Sequence, residues 1–336
     1  MKNFKSFTMA EILISLTIIG VIAAITLPAL QANINENAWR AQRKALYSRI
    51  SQALSMLPSL NGYGDFVGEW DNDVVTPTTD TAAERFVTDG LAKVLNINNI
   101  CSIPMSMTNA TDRHKELEKC GIPEKLTNMA NSKLPFPTKL SELNPMFTST
   151  YSYNNGASHR NPQKNIDTSA AAFETKNGES IAIFYNPFCR PNREETDWKS
   201  AQPYMCANFI YDFNGKKGPN KFGKDIGFIT ALYPVEPEVV APMPLAKDAK
   251  NGNADTMKQT EAAAACRTQD ENSRVPNRDE LAAMFYNEIY IGTGRMNNYW
   301  SGTFAPENQG WIHHFGAGDR SLIGSSNKAN VRCIKR

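Results

Sequence analysis

Residues 5–33 read KSFTMAEILISLTIIGVIAAITLPALQAN, and one letter among them decides how the chain is built. From Phe7 to Leu30 there are 24 residues with a single charge, Glu11, placed near the start of the run. A helix that crosses a bilayer needs about 20 apolar residues, and a carboxylate within it costs about 2.5–3.5 kcal/mol on insertion scales. A secretory signal peptide would explain Lys2, Lys5 and the cleavable Leu30-Gln31-Ala32. Its apolar core, however, spans only about 7–15 residues. A plain anchor helix explains the length and leaves Glu11 idle.

The helical pattern continues past Pro28. Trp39, Leu46, Ile50, Ala53 and Leu57 recur at helical spacings and form one face, with Arg40, Arg43, Lys44 and Arg49 largely off it. Pro58 ends the period, and Asn61-Gly62-Tyr63-Gly64 is loop chemistry. One long helix over residues 7–57 follows, kinked at Pro28 because proline removes an internal hydrogen bond.

These residues resemble the N-terminus of type IV pilins and of the pilin-like subunits of type II secretion systems. The resemblance rests on Phe7-Thr8-Met9-Ala10-Glu11, followed by an unbroken apolar helix with Gly20 and Pro28. It implies a leader over residues 1–6, cut by a prepilin peptidase between Ser6 and Phe7, with methylation of the new amine. Ser6 stands where the family normally carries Gly. Glu11 becomes the fifth residue of the mature chain. An acid that is unfavourable alone in lipid is stabilised by the N-terminal ammonium of a neighbouring subunit, which sets filament register. The implied partners are other pilin-like subunits, the peptidase and the inner membrane. The implied location is the inner membrane with periplasmic or extracellular domains, then a pilus or pseudopilus.

The net charge of +2, from 36 basic and 34 acidic residues, supplies no field that argues for nucleic acid, and no nucleic-acid partner is expected. Six cysteines, at 101, 120, 189, 206, 266 and 333, all follow the apolar run. Their even number fits three disulfides in an oxidising compartment, with buried free thiols as the other reading. No Cys-x-x-Cys occurs, which argues against zinc and thioredoxin chemistry. Basic residues on both sides leave orientation open, and the cysteines then place residues 31–336 outside the cytoplasm.

Residues 58–233 read as a mixed α+β head. Thr81 to Leu95 has helical spacing, whereas residues 96–165 are rich in Asn, Ser, Thr and Pro and take no clear order. Asn177-Gly178 lies between two β-prone runs, a strong hairpin signal. CANFIYDFNG (206–215) and DIGFITALY (225–233) follow as strands. An antiparallel sheet packed on the long helix is the architecture these pieces suggest and the pilin head the resemblance implies. Proximity in sequence pairs Cys101 with Cys120 and Cys189 with Cys206. Between the last two strands, Asp212, Asn214, Asn220 and Asp225 offer oxygen ligands of the kind calcium prefers, and some pilin-like subunits hold calcium in such a loop. Lys216 and Lys217 occupy places where ligands would be wanted, and a glycine-rich turn capped by its own Asp and Asn side chains is the plainer reading.

Four prolines between Pro234 and Pro244, followed by KDAKNGNAD, read as an interdomain linker over residues 234–257. Beyond it, Asn277 with Glu280 three residues later is a capping box that starts a helix at Arg278. Short strands follow in NYWSGTFA, GWIHHFGAG and ANVRCIKR. Ala265-Cys266, Arg274-Val275-Pro276 with Glu280-Leu281, Tyr299-Trp300-Ser301, Phe315 with Gly318, and Val331-Arg332-Cys333 resemble a C-type-lectin-like module of bacterial surface proteins, over residues 258–336. The resemblance implies a Cys266–Cys333 disulfide.

Lectin-like folds host sugar binding, protein binding and, in formylglycine-generating enzymes, cysteine oxidation, so fold alone does not decide. Trp300 and Trp311 offer stacking faces for a surface glycan, against burial as the commoner fate of such residues. His313-His314 lie on neighbouring faces of one strand, cannot readily share an ion and read as a surface pair without a role. Two classes of function follow: a minor pilin or pseudopilin displaying a recognition module, or a membrane-tethered enzyme. The sequence holds no Ser/His/Asp set or phosphate-binding glycine loop, and its 4 histidines leave little for acid–base work, so the first is preferred and no catalytic residue is assigned.

Overall fold

The computed structural model describes residues 9–61, 81–144, 170–185, 204–233 and 238–335, the last without 294–296, 304, 317 and 319. The chain divides into two units, Met1–Leu46 and Tyr47–Arg336. Helix α1 runs unbroken over Met9–Asn61. It continues past Pro58, which lies in the last turn, where losing one backbone bond leaves the preceding turns intact. Ser6 and Phe7 lie outside the described residues, and of Glu11 only the helical backbone is described.

In the first unit Leu13, Ile14, Leu16, Ile18, Ile19, Val21 and Ile22 are exposed. A span over residues 7–30 is expected from composition; among the described residues no helix is long and apolar enough to cross a membrane.

The second unit is built on a six-stranded antiparallel sheet in the order β1-β4-β5-β6-β7-β8. Its strands are β1 (Ile97–Ile103), β4 (Ala170–Thr175), β5 (Ser180–Tyr185), β6 (Tyr204–Asp212), β7 (Ile226–Tyr233) and β8 (Glu238–Val240). The Asn177-Gly178 signal falls in the β4–β5 hairpin, where Glu174 pairs with Ser180 and Gly178 takes φ +86°. That backbone is the left-handed one that favours glycine. The final part of α1 is tied to this sheet. Ile50, Ala53, Leu54 and Leu57 are buried, Tyr47 donates to the Val239 carbonyl at 2.9 Å, and Arg49 pairs with the buried Glu179 beside the hairpin.

The stretch that composition left unordered supplies the edge strand β1, helix α3 (Ala110–Lys119) and a small hairpin, β2 (Lys125–Thr127) with β3 (Lys133–Pro135). Helix α2 (Ala82–Arg85), continued by a π and a 3₁₀ turn to Lys93, precedes it, and α4 (Leu140–Leu143) follows. Disulfide Cys101–Cys120 joins β1 to the residue that ends α3.

Residues 258–335 carry α5 (Gln259–Gln269), β9 (Ser273–Arg274), α6 (Arg278–Tyr286), α7 (Glu288–Ile291), a β10-β11-β12 sheet (Asn298–Trp300, Gln309–His314, Arg320–Gly324) and β13 (Ile334–Lys335), which pairs with β9. Both capping-box bonds start α6: Asn277 Oδ1 accepts from the Glu280 amide at 2.7 Å, and Glu280 Oε2 from the Asn277 amide at 2.8 Å. Disulfide Cys266–Cys333 links α5 to the chain just before β13. Cys206 is also disulfide-bonded, and Cys189 lies outside the described residues.

The linker expected over residues 234–257 is corrected by the structure. Residues 238–240 are a sheet strand, and the chain after them is a docked strap. Leu245 N donates to the Cys333 carbonyl at 2.8 Å, Ala249 N to Val331 at 2.7 Å, and Met257 exchanges bonds with Ala329. Proline lacks a donor, but the residues that follow Pro244 keep theirs and find carbonyl partners in the distant chain segment 329–333. Nor is the core of residues 258–336 separate. Leu281, Met284, Phe285, Tyr286, Tyr290 and Phe315 belong to the same apolar cluster as Phe184, Ile210, Phe228 and Leu232 of the large sheet. A second, smaller cluster joins Ala249 and Met257 of the strap to Cys266, Trp300, Ile312 and Val331.

Candidate functional site

The loop from Asp212 to Asp225 closes the β6–β7 hairpin, whose last pair is Asp212 with Ile226. Its glycines are there for shape. Gly215 has φ +57°, and a Cβ on it would meet the Gly121 carbonyl oxygen at 3.1 Å, so the loop packs close against the end of α3. Asp212 Oδ1 accepts from the amides of Asn214 at 3.0 Å and Gly215 at 2.9 Å, folding the loop back on the strand end. Asp225 serves the other half, with Oδ2 accepting from Asn220 N at 2.8 Å and Oδ1 from Lys221 N at 2.9 Å. Asn214 Nδ2 donates to the Gly218 carbonyl at 2.6 Å.

Three side-chain oxygens of this loop, Asp212 Oδ2, Asn214 Oδ1 and Asn220 Oδ1, are buried without a hydrogen-bond donor. Burial pushes the Asp212 carboxyl up to about 7; the amides of Asn214 and Gly215 oppose the rise, and the charge on Asp225 adds to it. Of the two lysines expected to spoil the site, Lys216 turns outward to pair with Glu118 at 3.6 Å; Lys221, further along the loop, bonds Asn131. Among the described residues no three His, Cys, Asp or Glu side chains form a metal cluster. The donor set is instead one carboxylate oxygen and two amide oxygens, hard neutral or anionic acceptors of the type calcium takes and zinc does not. Asp225 departs from the expected ligand set, because both of its oxygens already brace the loop.

The C-terminal aromatic pair does not form a stacking platform. Trp300 is fully buried and donates Nε1–H to the Met257 carbonyl at 2.7 Å. Trp311 is 9% exposed, with the Arg278 guanidinium over its ring at 4.4 Å. His314 is held between Asn298 and Ser321 at 2.7 and 2.8 Å. His313, expected at the surface, is instead buried against Phe285 and Phe315, and burial holds its pKa well below the usual value, keeping it neutral.

Residue-by-residue reading of the sequence misses one buried network. Arg332 reaches from the chain before β13 to Asp248 of the strap at 2.9 Å and to the Ile291 carbonyl at 2.7 Å, while Tyr299 donates to the second Asp248 oxygen at 3.0 Å. Its members are separated by up to 84 residues, and no local pattern links them.

Comparison with known families bears on the other end of the chain. The model of the prokaryotic N-terminal methylation motif matches residues 1–27. The chain carries a type IV pilin-like prepilin segment. No curated protein matches the chain. Within the matched segment the one acidic residue is Glu11.

Proposed function

We propose that the protein is a pilin-like subunit, a minor pilin or pseudopilin of a type IV pilus or type II secretion system, held in the inner membrane by residues 7–30 before assembly. The observation that carries this reading is the methylation-motif match over residues 1–27, in which an apolar helix keeps a single acid, Glu11. A prepilin peptidase removes residues 1–6, and the methylated Phe7 amine of one subunit pairs with Glu11 of the next. Disulfides Cys101–Cys120 and Cys266–Cys333 favour an oxidising compartment for the remainder. A head enlarged by residues 258–336 suits a subunit at the tip better than one packed in every repeat. In that position the C-terminal segment would be presented to a surface glycan or protein.

N-terminal sequencing of the protein from cells containing a prepilin peptidase tests the reading. Phe7 as the first residue, N-methylated, is the expected result. A mature start at Asn33 would establish a signal peptide instead, and an intact Met1 would show that Ser6 blocks the cut.

A further inference from the structure

We propose that Asn251 is a self-modification site, at which the side-chain amide is lost through a cyclic imide to leave aspartate or isoaspartate in the turn of the strap. Three Asn-Gly pairs lie wholly within the described residues: Asn177-Gly178, Asn214-Gly215 and Asn251-Gly252. Glycine is the neighbour that lets this ring close, because no side chain crowds its nitrogen. The ring also needs that nitrogen free, and here the three pairs differ. The Gly178 amide donates to the Thr175 carbonyl at 3.0 Å, within the β4–β5 hairpin. The Gly215 amide is buried and donates to Asp212 Oδ1 at 2.9 Å, and Asn214 Nδ2 is itself held by the Gly218 carbonyl at 2.6 Å. Gly252 N–H makes no hydrogen bond to any described residue, the Asn251 side chain makes none either, and both residues are exposed. A Cβ built on Gly252 meets nothing within 4 Å, so the attack has open space around it.

The step needs only water. Gly252 N attacks Asn251 Cγ and gives up its proton, the Cγ–Nδ2 bond breaks, and ammonia leaves. Water then opens the imide at either carbonyl. Breaking the bond from nitrogen to Cγ leaves aspartate; breaking the bond to the old main-chain carbonyl routes the chain through Cβ and Cγ and leaves isoaspartate. Nothing is oxidised or reduced, and each product carries one new carboxylate. The turn is tight: Asn251 N donates to the Ala254 carbonyl and Ala254 N to the Asn251 carbonyl, each at 3.1 Å. In isoaspartate that Asn251 carbonyl is a pendant carboxylate and the main chain is a methylene longer, so both bonds are lost. The new charge also lies next to Lys250, which pairs with Asp255 across the turn at 3.1 Å. The flanks, by contrast, rest on distant residues: Ala249 N on the Val331 carbonyl at 2.7 Å, and Met257 on Ala329 through reciprocal bonds of 3.0 Å. Modification therefore loosens residues 250–255 and leaves the strap seated.

The test uses the full-length protein in mild detergent, aged at neutral pH and digested with trypsin, which releases residues 251–258 as one peptide. A parallel sample is aged in urea, where the three glycine amides are equally free and Asn177, Asn214 and Asn251 are expected to convert at similar rates. In the folded protein Asn251 keeps its urea rate. Asn177 slows about fivefold, for the one backbone bond that must open, and Asn214 slows by more than about tenfold, because its glycine bonds a carboxylate. Mass spectrometry should find isoaspartate as well as aspartate at position 251, each with one oxygen taken from labelled water. Asn251→Gln, whose longer side chain closes this ring poorly, should not convert. Hydrogen exchange of the aged protein should quicken about fivefold at the amides of residues 251 and 254 and stay unchanged at Ala249 and Met257. Conversion at Asn251 no faster in the fold than at Asn177, or aspartate without isoaspartate, would overturn the site. Faster exchange at Ala249 and Met257 as well would overturn the claim that the strap stays seated. None of these readouts depends on leader cleavage or filament assembly, so the outcome is separable from that of the pilin reading.

Discussion

Replacing Asp248 by alanine isolates the claim that residues 241–257 are a structural strap. Arg332 is 2% exposed, and its two bonded nitrogens rest on Asp248 and on the Ile291 carbonyl. Asp248→Ala removes the counter-charge and leaves the guanidinium buried, a change of about 3–5 kcal/mol for pairs of this kind. Asp248 is 23% exposed, so water can replace part of the lost contact and the low end, about 3 kcal/mol, applies. For a body the size of Tyr47–Arg336, with an unfolding entropy of roughly 0.6 kcal/mol/K, that lowers the thermal midpoint by about 5 °C. Burial outweighs pairing for both partners, holding the Asp248 carboxyl above its usual range and the Arg332 guanidinium below. The pair is therefore retained at a desolvation penalty. Asp248→Leu combined with Arg332→Met removes the stranded charge but also the bonds that Tyr299 makes to Asp248 and Arg332 to the Ile291 carbonyl, so it should recover only part of the loss. The assay is thermal unfolding of the full chain followed by tryptophan fluorescence, which senses Trp300 on the strap carbonyl of Met257. A midpoint unchanged by Asp248→Ala would refute the docked strap and restore a free linker.

The disulfides should differ in weight. Cys266–Cys333 closes a separation of 67 residues and Cys101–Cys120 one of 19, which the chain-entropy model converts to about 4 and about 3 kcal/mol. Urea unfolding of the two double-alanine variants should show the larger loss for Cys266/Cys333, and the opposite order would show that local strain or packing sets their contributions. Glu11→Ala should leave the protein membrane-extracted and its disulfides intact while filament incorporation, measured in sheared fractions, falls at least tenfold. Incorporation at the wild-type level would remove the register role of Glu11.

Local chemistry was legible wherever one short segment contains both partners of an interaction. The Asn177-Gly178 hairpin, the strands on either side of the 212–225 loop and the Asn277–Glu280 cap all have their partners within a few residues, and turn and capping preferences act at that range. The same holds for the prepilin segment, whose meaning lies in one acid within an apolar run. The oxygen-bearing side chains of the loop were readable as a set, but what each one does was not. Only the folded backbone spends both oxygens of Asp225 on amides and leaves Asp212, Asn214 and Asn220 with oxygens unpaired. Composition read residues 234–257 as a spacer because prolines and polar residues reveal nothing of a partner strand near residue 333. It offered Trp300 and Trp311 as stacking faces because burial is decided by what packs around a ring: the Met257 carbonyl at the edge of one, the Arg278 guanidinium over the other. Strap, shared core and buried ion pair all join residues far apart in the chain. Such contacts depend on closing long loops around a common apolar core, and only the tertiary structure decides which ones form.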